Sequence, residues 1–228
     1  MKTYIRSMRQ RQLFHRNSDR NQTLDRAMRR LLRWTLGSRL PVLAVTDAIY
    51  GWGNEIWSAD EDYLIGVISE AASSRGPIIE CGSGLSTILL ALVARQTGLP
   101  VHSLEHNEGW RERVIETLAV YDLVGNNVVH HAPLQSYGEY GWYTLPASLP
   151  TGVSLIICDG PPADTNGGRF GVLPLLRERF APACTILLDD ASRLPGMNII
   201  ARWEDQAGVT SQQLRMGRGC ARVTVVSN

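Results

Sequence analysis

Hydrophobic positions follow two alternating patterns from residue 77 onward. Short apolar runs, typical of buried strands, alternate with longer segments in which apolar residues recur at helical spacing. The short runs predict strands at 78–81, 101–105, 127–131, 153–158 and 184–189. The longer segments predict helices at 86–96, 108–121, 171–180 and 195–206. Strands that alternate with helices are typical of a doubly wound α/β fold, in which helices cover both faces of a parallel sheet.

Two more strands are predicted at the end of the chain, at about 209–215 and 220–227. The glycine-containing segment Met216-Gly217-Arg218-Gly219 between them is typical of a hairpin turn. We therefore expect a mostly parallel, seven-stranded sheet with a C-terminal antiparallel hairpin at or near one edge.

A helical pattern also begins before this alternating region. One face of the predicted helix is largely apolar and contains Leu24, Met28, Leu31, Leu32 and Thr35. Ser58 and Glu61 match a capping box, which predicts a second helix that runs to about Ser73. We divide the chain into a basic N-terminal arm and helix, residues 1–49, and a main domain, residues 50–228.

The net charge of +1 conceals an asymmetry. Residues 1–40 contain eleven basic and two acidic side chains, a net +9, whereas the remainder has 12 basic and 20 acidic side chains, a net −8. The N-terminal helix could pack on the main domain, form a homodimer contact or lie on an anionic membrane surface. A basic arm without a base-reading motif is weak evidence for nucleic-acid binding, and we expect none.

The composition also indicates the cellular compartment. No apolar run approaches the roughly 18 residues of a membrane span, and the N-terminus lacks the apolar centre of a secretory signal. The four cysteines have no metal-ligand spacing, so buried, reduced thiols are expected. We expect a cytoplasmic protein without a transmembrane segment.

The most informative segment joins the first predicted strand to the next helix. It reads Ile-Ile-Glu-Cys-Gly-Ser-Gly-Leu-Ser-Thr over residues 78–87. Gly82 and Gly84 let a ligand approach the backbone, and the helix N-terminus offers free N–H groups. Glu80 suits a ligand that carries an ammonium group and a sulfonium charge. Thr87 occupies the position of the third glycine in the dinucleotide-binding pattern, which argues against a dinucleotide.

Acidic residues also follow three other predicted strands. Glu105 ends the second strand and lies 23 positions after Gly82, where an acid can accept hydrogen bonds from ribose hydroxyls. Asp159 follows the fourth strand, and Asp189 and Asp190 follow the fifth. These three aspartates could converge on Mg²⁺ or Ca²⁺, because hard cations prefer oxygen ligands.

Two alternatives to a metal site remain open for the aspartates. Asp189 and Asp190 could cap the next helix, or they could pair with Arg193 or Arg169. The turn Gly167-Gly168-Arg169 could also bring its guanidinium to an anionic group of the substrate.

Several of these motifs resemble those of class I S-adenosylmethionine-dependent methyltransferases, over residues 50 to 228. The carriers are Glu80-Cys-Gly-Ser-Gly-Leu-Ser-Thr, Leu104-Glu105-His106, Asp159-Gly-Pro-Pro, Gly167-Gly-Arg-Phe and Leu188-Asp-Asp-Ala-Ser-Arg193. Within the class, the chain is similar to small bacterial proteins of the O-methyltransferase type. The resemblance implies a Rossmann-like fold and S-adenosylmethionine as cofactor.

The resemblance also implies roles for individual residues. Gly82 and Gly84 would contact the methionine end of the cofactor, Glu105 would hold the ribose, and the segment from His131 to Leu134 would lie near the adenine. The expected cofactor-binding set is Glu80, Gly82, Gly84, Ser86, Glu105, His106, Ala132, Pro133 and Asp159. In the related catechol-type enzymes, acids at the positions of Asp159, Asp189 and Asp190 hold Mg²⁺.

The chain departs from the catechol-type enzymes at the catalytic base. Those enzymes carry a lysine shortly after the fourth-strand acid, whereas this chain has Pro161, Pro162, Ala163 and Asp164 there. Its only lysine is Lys2. The candidate catalytic residues are therefore Asp159 and His106, with His130 and His131 as further possible bases.

The expected function is methyl transfer to a small-molecule acceptor, at an oxygen atom and with possible help from a divalent metal. The aromatic loop from Tyr137 to Tyr143, with Trp52 and Trp57, could wall the acceptor pocket. An NAD(P)-dependent oxidoreductase and a non-catalytic protein that binds S-adenosylmethionine or serves in assembly are the alternatives.

Overall fold

A seven-stranded sheet forms the centre of the fold in the computed structural model, which describes residues 18–54, 59–206, 208–214 and 219–226. The strands, with a separate two-stranded hairpin, are β1 (Ile78–Cys81), β2 (Val101–Glu105), β3 (Asn127–His131), β4 (Leu134–Ser136), β5 (Gly141–Tyr143), β6 (Val153–Cys158), β7 (Phe180–Leu188), β8 (Val209–Leu214) and β9 (Cys220–Val226). The order in the large sheet is β3-β2-β1-β6-β7-β9-β8.

Helices precede, separate and follow these strands. The first, α1, covers residues 18–31 of the described part of the chain. The others are α2 (Val42–Trp52), α3 (Glu61–Ser73), α4 (Leu85–Thr97), α5 (Glu108–Val120), α6 (Val172–Leu176) and α7 (Leu194–Glu204). Two short 3₁₀ turns, Gly168–Gly171 and Arg177–Arg179, flank α6.

The topology confirms the predicted doubly wound sheet. Strands β3, β2, β1, β6 and β7 are parallel, whereas β9 runs antiparallel to β7 and β8 antiparallel to β9. The chain moves from β1 to one side of the sheet and returns to the other side at β6. In open α/β sheets, ligands bind at the carboxyl ends of the strands where the strand order reverses in this way.

Alternate residues of the central strands supply two apolar layers. Ile78 and Leu155 join one buried cluster with α1 to α5, whereas Ile79 and Ile156 join a second cluster with α6, α7 and the β4–β5 hairpin. All four residues of β1 are buried. This strand is apolar on both faces except for Glu80, which makes that carboxylate exceptional.

Helix α1 packs on the core, which is one of the three placements considered for it from the sequence. Ala27, Met28 and Leu31 are at most 1% exposed and belong to the first apolar cluster. The following turn is held to α4, because Leu36 N donates to Gln96 Oε1 over 2.7 Å. Helix α2 runs through the proposed boundary at residue 49, and the division into two units stays a prediction.

Three helix predictions differ from the structure in their boundaries. Helix α3 begins at Glu61 with Asp60 as its N-cap, so the predicted Ser58 cap is wrong, and Ser58 itself lies outside the described residues. The predicted helix at 171–180 is shorter and broken, since α6 ends at Leu176, a 3₁₀ turn covers Arg177–Arg179, and β7 already begins at Phe180. Helix α1 begins before Leu24, with residues 18–23 already helical.

Two elements were not predicted. Helix α2 starts after Pro41 without a side-chain cap, so the usual start signal is missing. The hairpin β4–β5 has only three residues in each strand, and it lies inside the predicted aromatic loop. The hairpin buries Trp142 and Tyr143 completely.

Two compositional expectations can be compared with the described residues. All four cysteines are free and buried, as expected. None of the helices in the described ranges is both long and apolar enough to cross a membrane. The first three residues of the predicted hairpin turn, 216–218, lie outside the described residues.

We expect Met28→Ala to lower the free energy of unfolding by about 2–5 kcal/mol, because it leaves a cavity in the core beneath α1. Gln22→Ala removes a side chain of similar length from the exposed face of the same helix and should change stability by less than about 0.5 kcal/mol. Urea denaturation measures both. Equally small effects would show that α1 does not belong to the cooperative core.

Candidate functional site

A cavity of about 620 Å³ lies at the carboxyl edge of the sheet, where the strand order reverses between β1 and β6. Its volume falls within the roughly 300–1,000 Å³ of small-molecule sites. The lining residues used below are Glu80, Gly82, Ser83, Gly84, Ser86, Glu105, His106, Trp110, Tyr143, Asp159, Arg169, Asp189, Asp190 and Arg193. The cavity therefore brings together most of the site residues predicted from the sequence.

Glu80 is a buried carboxylate with one satisfied and one unsatisfied oxygen. Its Oε2 accepts hydrogen bonds of 2.6 Å from the hydroxyls of Thr87 and Ser103, whereas its Oε1 is buried without a partner. Burial raises the pKa of Glu80 to about 7, although the hydrogen bonds from Ser103 and Thr87 oppose this rise. An unpartnered buried carboxylate oxygen is costly, so it marks a place for a donor or a cation.

The glycine turn leaves room beside this carboxylate. Gly82 adopts a φ of +92°, and a Cβ there would lie 3.3 Å from Gly160 N, so the turn requires glycine. Gly84 has an extended φ of 167°, and a Cβ there would meet nothing within 4 Å. Gly84 N donates to Thr87 Oγ1 over 2.9 Å, which links the turn to Glu80 through one hydroxyl.

Glu105 is held at the end of β2 by the adjoining turns. Its Oε2 accepts hydrogen bonds from Ser83 N and Ser83 Oγ, and its Oε1 accepts one from Asn107 N. His106 Nδ1 lies 3.1 Å from Glu105 Oε1 without a hydrogen-bond partner. The carboxylate is therefore fixed at the cavity wall, next to the glycine turn.

Two tryptophans, Trp52 and Trp110, line the side of the cavity, and one arginine packs against both rings. Trp110 Nε1 donates to Ser83 O over 2.8 Å, and its ring meets Trp52 edge-on at 5.7 Å. The Arg113 guanidinium lies 4.5 Å from the Trp52 ring and 4.8 Å from the Trp110 ring, so it clamps α2 onto α5. The predicted partner Trp57 lies outside the described residues.

The three predicted metal ligands converge, but an arginine lies among them. Arg169 Nη2 lies 3.1 Å from Asp159 Oδ1 and 3.5 Å from Asp190 Oδ2, while Nη1 donates to Asp189 O over 2.9 Å. Arg193 Nη1 also lies 3.1 Å from Asp190 Oδ2. The alternative pairing with arginine is therefore observed for Asp190, whereas Asp189 contacts Arg169 only through its backbone carbonyl.

The predicted Mg²⁺ or Ca²⁺ site does not fit this arrangement. The Arg169 guanidinium already contacts Asp159 and Asp190, and a second cation beside it would be repelled. Within the described ranges, no group of three or more His, Cys, Asp or Glu side chains is arranged to hold a metal ion. The arrangement of the described side chains therefore does not support Asp159, Asp189 and Asp190 as metal ligands.

Asp159 and Asp189 form a coupled acidic pair at this end of the cavity. Burial and the neighbouring Asp159 charge raise the pKa of Asp189 to about 7. Burial also raises the pKa of Asp159, although the charge of Arg169 opposes it. This pair can hold one proton close to neutral pH.

Four of the candidate residues lie outside the cavity lining. His130 packs against His102, with Nε2 and Nδ1 2.9 Å apart, and burial lowers the pKa of His130 to about 4. His131 pairs with Glu108 over 2.9 Å. Ala132 and Pro133 follow β3, and Ala132 N donates to the backbone of Glu105, so adenine binding at this segment stays a prediction.

Tyr143 is a further residue of the site, and the sequence placed it only in a general aromatic wall. Its hydroxyl is buried without a hydrogen-bond partner and lies close to the backbones of Gly82 and Gly160. A Cβ on Gly160 would lie 2.2 Å from Tyr143 Oη, and one on Gly82 would lie 3.9 Å from it. No sequence motif marks Tyr143, because its position depends on the β4–β5 hairpin.

The site fits a ligand with an amino group and an extended polar part. The orphaned Oε1 of Glu80 can accept from an ammonium group, and the open space over Gly84 can admit the chain that carries it. Glu105 lies at the other side of the same turn. S-adenosylmethionine has a primary ammonium group and a ribose, so the residues present fit this cofactor.

Solved structures that share the fold of this chain include methyltransferases. No protein-family profile and no curated protein matches the chain. A methyltransferase from Geobacter sulfurreducens is 13% identical, with 84% of this chain and 92% of that chain covered and a TM-score of 0.60. A caffeoyl-CoA O-methyltransferase candidate from Staphylococcus aureus is 13% identical, with 83% and 93% covered and a TM-score of 0.61.

A third similar structure contains a bound ligand. The methyltransferase PaMTH1 of Podospora anserina, solved with SAH (S-adenosylhomocysteine), is 14% identical, with 91% of this chain and 96% of that chain covered and a TM-score of 0.62. The chain has the class I methyltransferase fold. In this fold, the edge with Glu80 and Glu105 is the ligand-binding edge of the sheet.

The buried Glu80 predicts a pH-dependent stability for the ligand-free methyltransferase fold. Its pKa is about 7 in the folded chain and 4.5 in the unfolded chain, so the folded state holds the proton more tightly. The free energy of unfolding should therefore fall by roughly 1.4 kcal/mol per pH unit between about pH 4.5 and 7 from this group, and Asp189 adds to the fall.

Urea denaturation at several pH values tests this dependence. Glu80→Gln should flatten the curve, whereas Glu116→Gln, on the exposed side of α5, should leave its slope unchanged. An unchanged slope in Glu80→Gln would mean that Glu80 is ionised in the folded protein at all these pH values.

Proposed function

We propose that this chain transfers a methyl group from S-adenosylmethionine to a small-molecule acceptor, with an oxygen atom as the methylated position. The observation that carries the proposal is the unpartnered Oε1 of Glu80, a residue that lines the same cavity as Gly84 with its open space. When bound, S-adenosylmethionine supplies a methyl group on a positively charged sulfur. An acceptor oxygen would bond to the methyl carbon, and the sulfur would leave as a neutral thioether. The solved methyltransferases that share the fold of this chain support the proposal at the level of the fold.

The cavity residues divide into two ends. Glu80, Gly82, Gly84, Ser86 and Glu105 would hold the cofactor at the first end. The second end, which we call the acceptor end, consists of Asp159, Arg169, Asp189 and Asp190. Tyr143 Oη lies near Gly82 and Gly160, between the two ends, where it can donate to a bound ligand.

The coupled pair Asp159 and Asp189 is the proposed proton acceptor. Methylation of a hydroxyl group releases the hydroxyl proton, which needs a base near its own position. The raised pKa of Asp189, about 7, suits a carboxyl that exchanges a proton near neutral pH. His106 remains a second candidate, since it lines the cavity and its Nδ1 lacks a hydrogen-bond partner.

Cofactor binding can be tested without knowledge of the acceptor. Isothermal titration should show S-adenosylhomocysteine binding to the wild-type protein. Gly84→Ala should weaken this binding at least tenfold, because the new methyl group enters the open space without contacting the protein. The matched control, Gly109→Ala, places a methyl group on α5 away from the cavity and should not change affinity.

Other ligands separate the competing functions. Binding of NADH in place of S-adenosylhomocysteine would contradict the proposal and favour an oxidoreductase. Equal affinity for S-adenosylhomocysteine in Gly84→Ala and wild type would remove the glycine turn from the binding site. Cofactor binding without room for any acceptor in the complex would favour a non-catalytic role.

The ionisation of Glu80 gives a second test. Its pKa of about 7 should fall when an ammonium group lies beside it, so binding near pH 6 should release about one proton. At pH 8 Glu80 is already ionised, and this release should vanish. Titrations in buffers with different ionisation enthalpies measure the number of protons.

The variant Glu80→Gln should bind S-adenosylhomocysteine more weakly and without this proton release. A release of the same size in Glu80→Gln would assign the proton to another group, such as Asp189. The absence of any release in the wild-type protein at pH 6 would place the ligand's ammonium group away from Glu80.

A further inference from the structure

Arg169 lies among the acidic residues of the acceptor end, and these residues are ten or more positions away from it in the sequence. The two preceding residues, Gly167 and Gly168, have φ values of +72° and +53°. These left-handed conformations favour glycine and turn the chain before the 3₁₀ turn that carries Arg169. The Arg169 side chain is only 13% exposed.

The guanidinium joins the ends of two neighbouring strands. Its Nε donates to Asp159 O over 2.9 Å, its Nη1 donates to Asp189 O over 2.9 Å, and its Nη2 also contacts Asp159 O. The same Nη2 lies beside the carboxylates of Asp159 and Asp190. Arg169 thus satisfies backbone carbonyls and acidic side chains with one planar group.

The charges around this group favour a buried cation. Asp159, Asp189 and Asp190 face the same end of the cavity, and three such carboxyls repel one another unless a cation or a proton intervenes. Arg169 provides the buried charge, and Arg193 provides a second one from a side chain that is 52% exposed. A divalent ion would have to displace the guanidinium and its backbone hydrogen bonds.

We propose that Arg169 is the resident cation of the acceptor end, so that this site positions its acidic residues and works without a divalent metal ion. Arg169 is a positioning residue in this account, because each of its three guanidinium nitrogens donates to the protein and it acts through Asp159 and Asp189. The acceptor then needs no pair of oxygens that chelate a metal. The inference rests on the proposed function only for the use of this end in methyl transfer.

Manganese binding is the direct test, because Mn²⁺ is detected by electron paramagnetic resonance and prefers oxygen ligands. The wild-type protein should show no saturable binding that depends on the aspartates, and EDTA should change neither its melting temperature nor its affinity for S-adenosylhomocysteine. Arg169→Met keeps the length of the side chain but removes its charge. This variant should bind Mn²⁺ at least tenfold more tightly than wild type.

Three controls assign that gain to the acidic cluster. Arg169→Lys keeps a cation and should not gain Mn²⁺ binding. Arg193→Met removes the exposed partner of Asp190 but leaves Arg169 in place, so it should not gain binding either. The double variant Arg169→Met with Asp159→Asn should lose the gained site.

Several results would overturn the inference. Saturable Mn²⁺ binding to the wild-type protein that Asp159→Asn abolishes would show that the cluster is a metal site despite Arg169. A folded Arg169→Met that gains no Mn²⁺ binding would show that the guanidinium does not replace an ion. If Arg169→Met fails to fold, refolding with Mn²⁺ should restore it and refolding with EDTA should not; failure in both would contradict the proposal.

These results are independent of the proposed function. Metal binding is read without turnover, and S-adenosylhomocysteine affinity is measured in the same samples. If the wild-type protein does not bind S-adenosylhomocysteine, that result contradicts the proposed function alone. The metal measurements decide the role of Arg169.

Discussion

The burial of one carboxylate, Glu80, in the central strand constrains the rest of the site. Strand β1 is buried along its whole length, so an acid there must be neutral, hydrogen-bonded or matched to a ligand. The hydroxyls of Thr87 and Ser103 satisfy one oxygen and leave the other without a partner. Thr87 also accepts from Gly84 N, so the group that solvates Glu80 shapes the glycine turn as well.

The parallel sheet extends this constraint to the other acids. Because the carboxyl ends of β1, β2, β6 and β7 meet at one edge, Glu80, Glu105, Asp159 and Asp189 share one cavity. The protein accommodates these acids differently at the two ends. Two backbone N–H groups and the Ser83 hydroxyl donate to Glu105, whereas the charge of Arg169 lies beside the aspartates.

Sequence patterns predicted the features that depend on neighbours in the chain. The apolar runs identified all seven strands of the large sheet, and the acids that follow those runs were correctly expected to converge. The same reasoning left the nature of the cation open between a metal ion and Arg169 or Arg193. Arg169 reaches Asp159 and Asp189 through a turn set by Gly167 and Gly168, and such a path depends on tertiary packing rather than on spacing.

The missed elements have a similar explanation. Helix α2 lacks a side-chain cap, and β4 and β5 are each too short to show a strand pattern, so neither has a strong local signal. Burial of Trp142 and Tyr143 stabilises the hairpin, and that burial exists only once the second apolar layer has formed. Tyr143 therefore enters the site through tertiary structure alone.

A crystal structure of the protein with S-adenosylhomocysteine would test the central claim most directly. The account predicts that the amino group of the ligand lies within hydrogen-bond distance of Glu80 Oε1, with the ligand chain over Gly84. A ligand whose amino group lies elsewhere, with Glu80 Oε1 still buried and unpartnered, would contradict it.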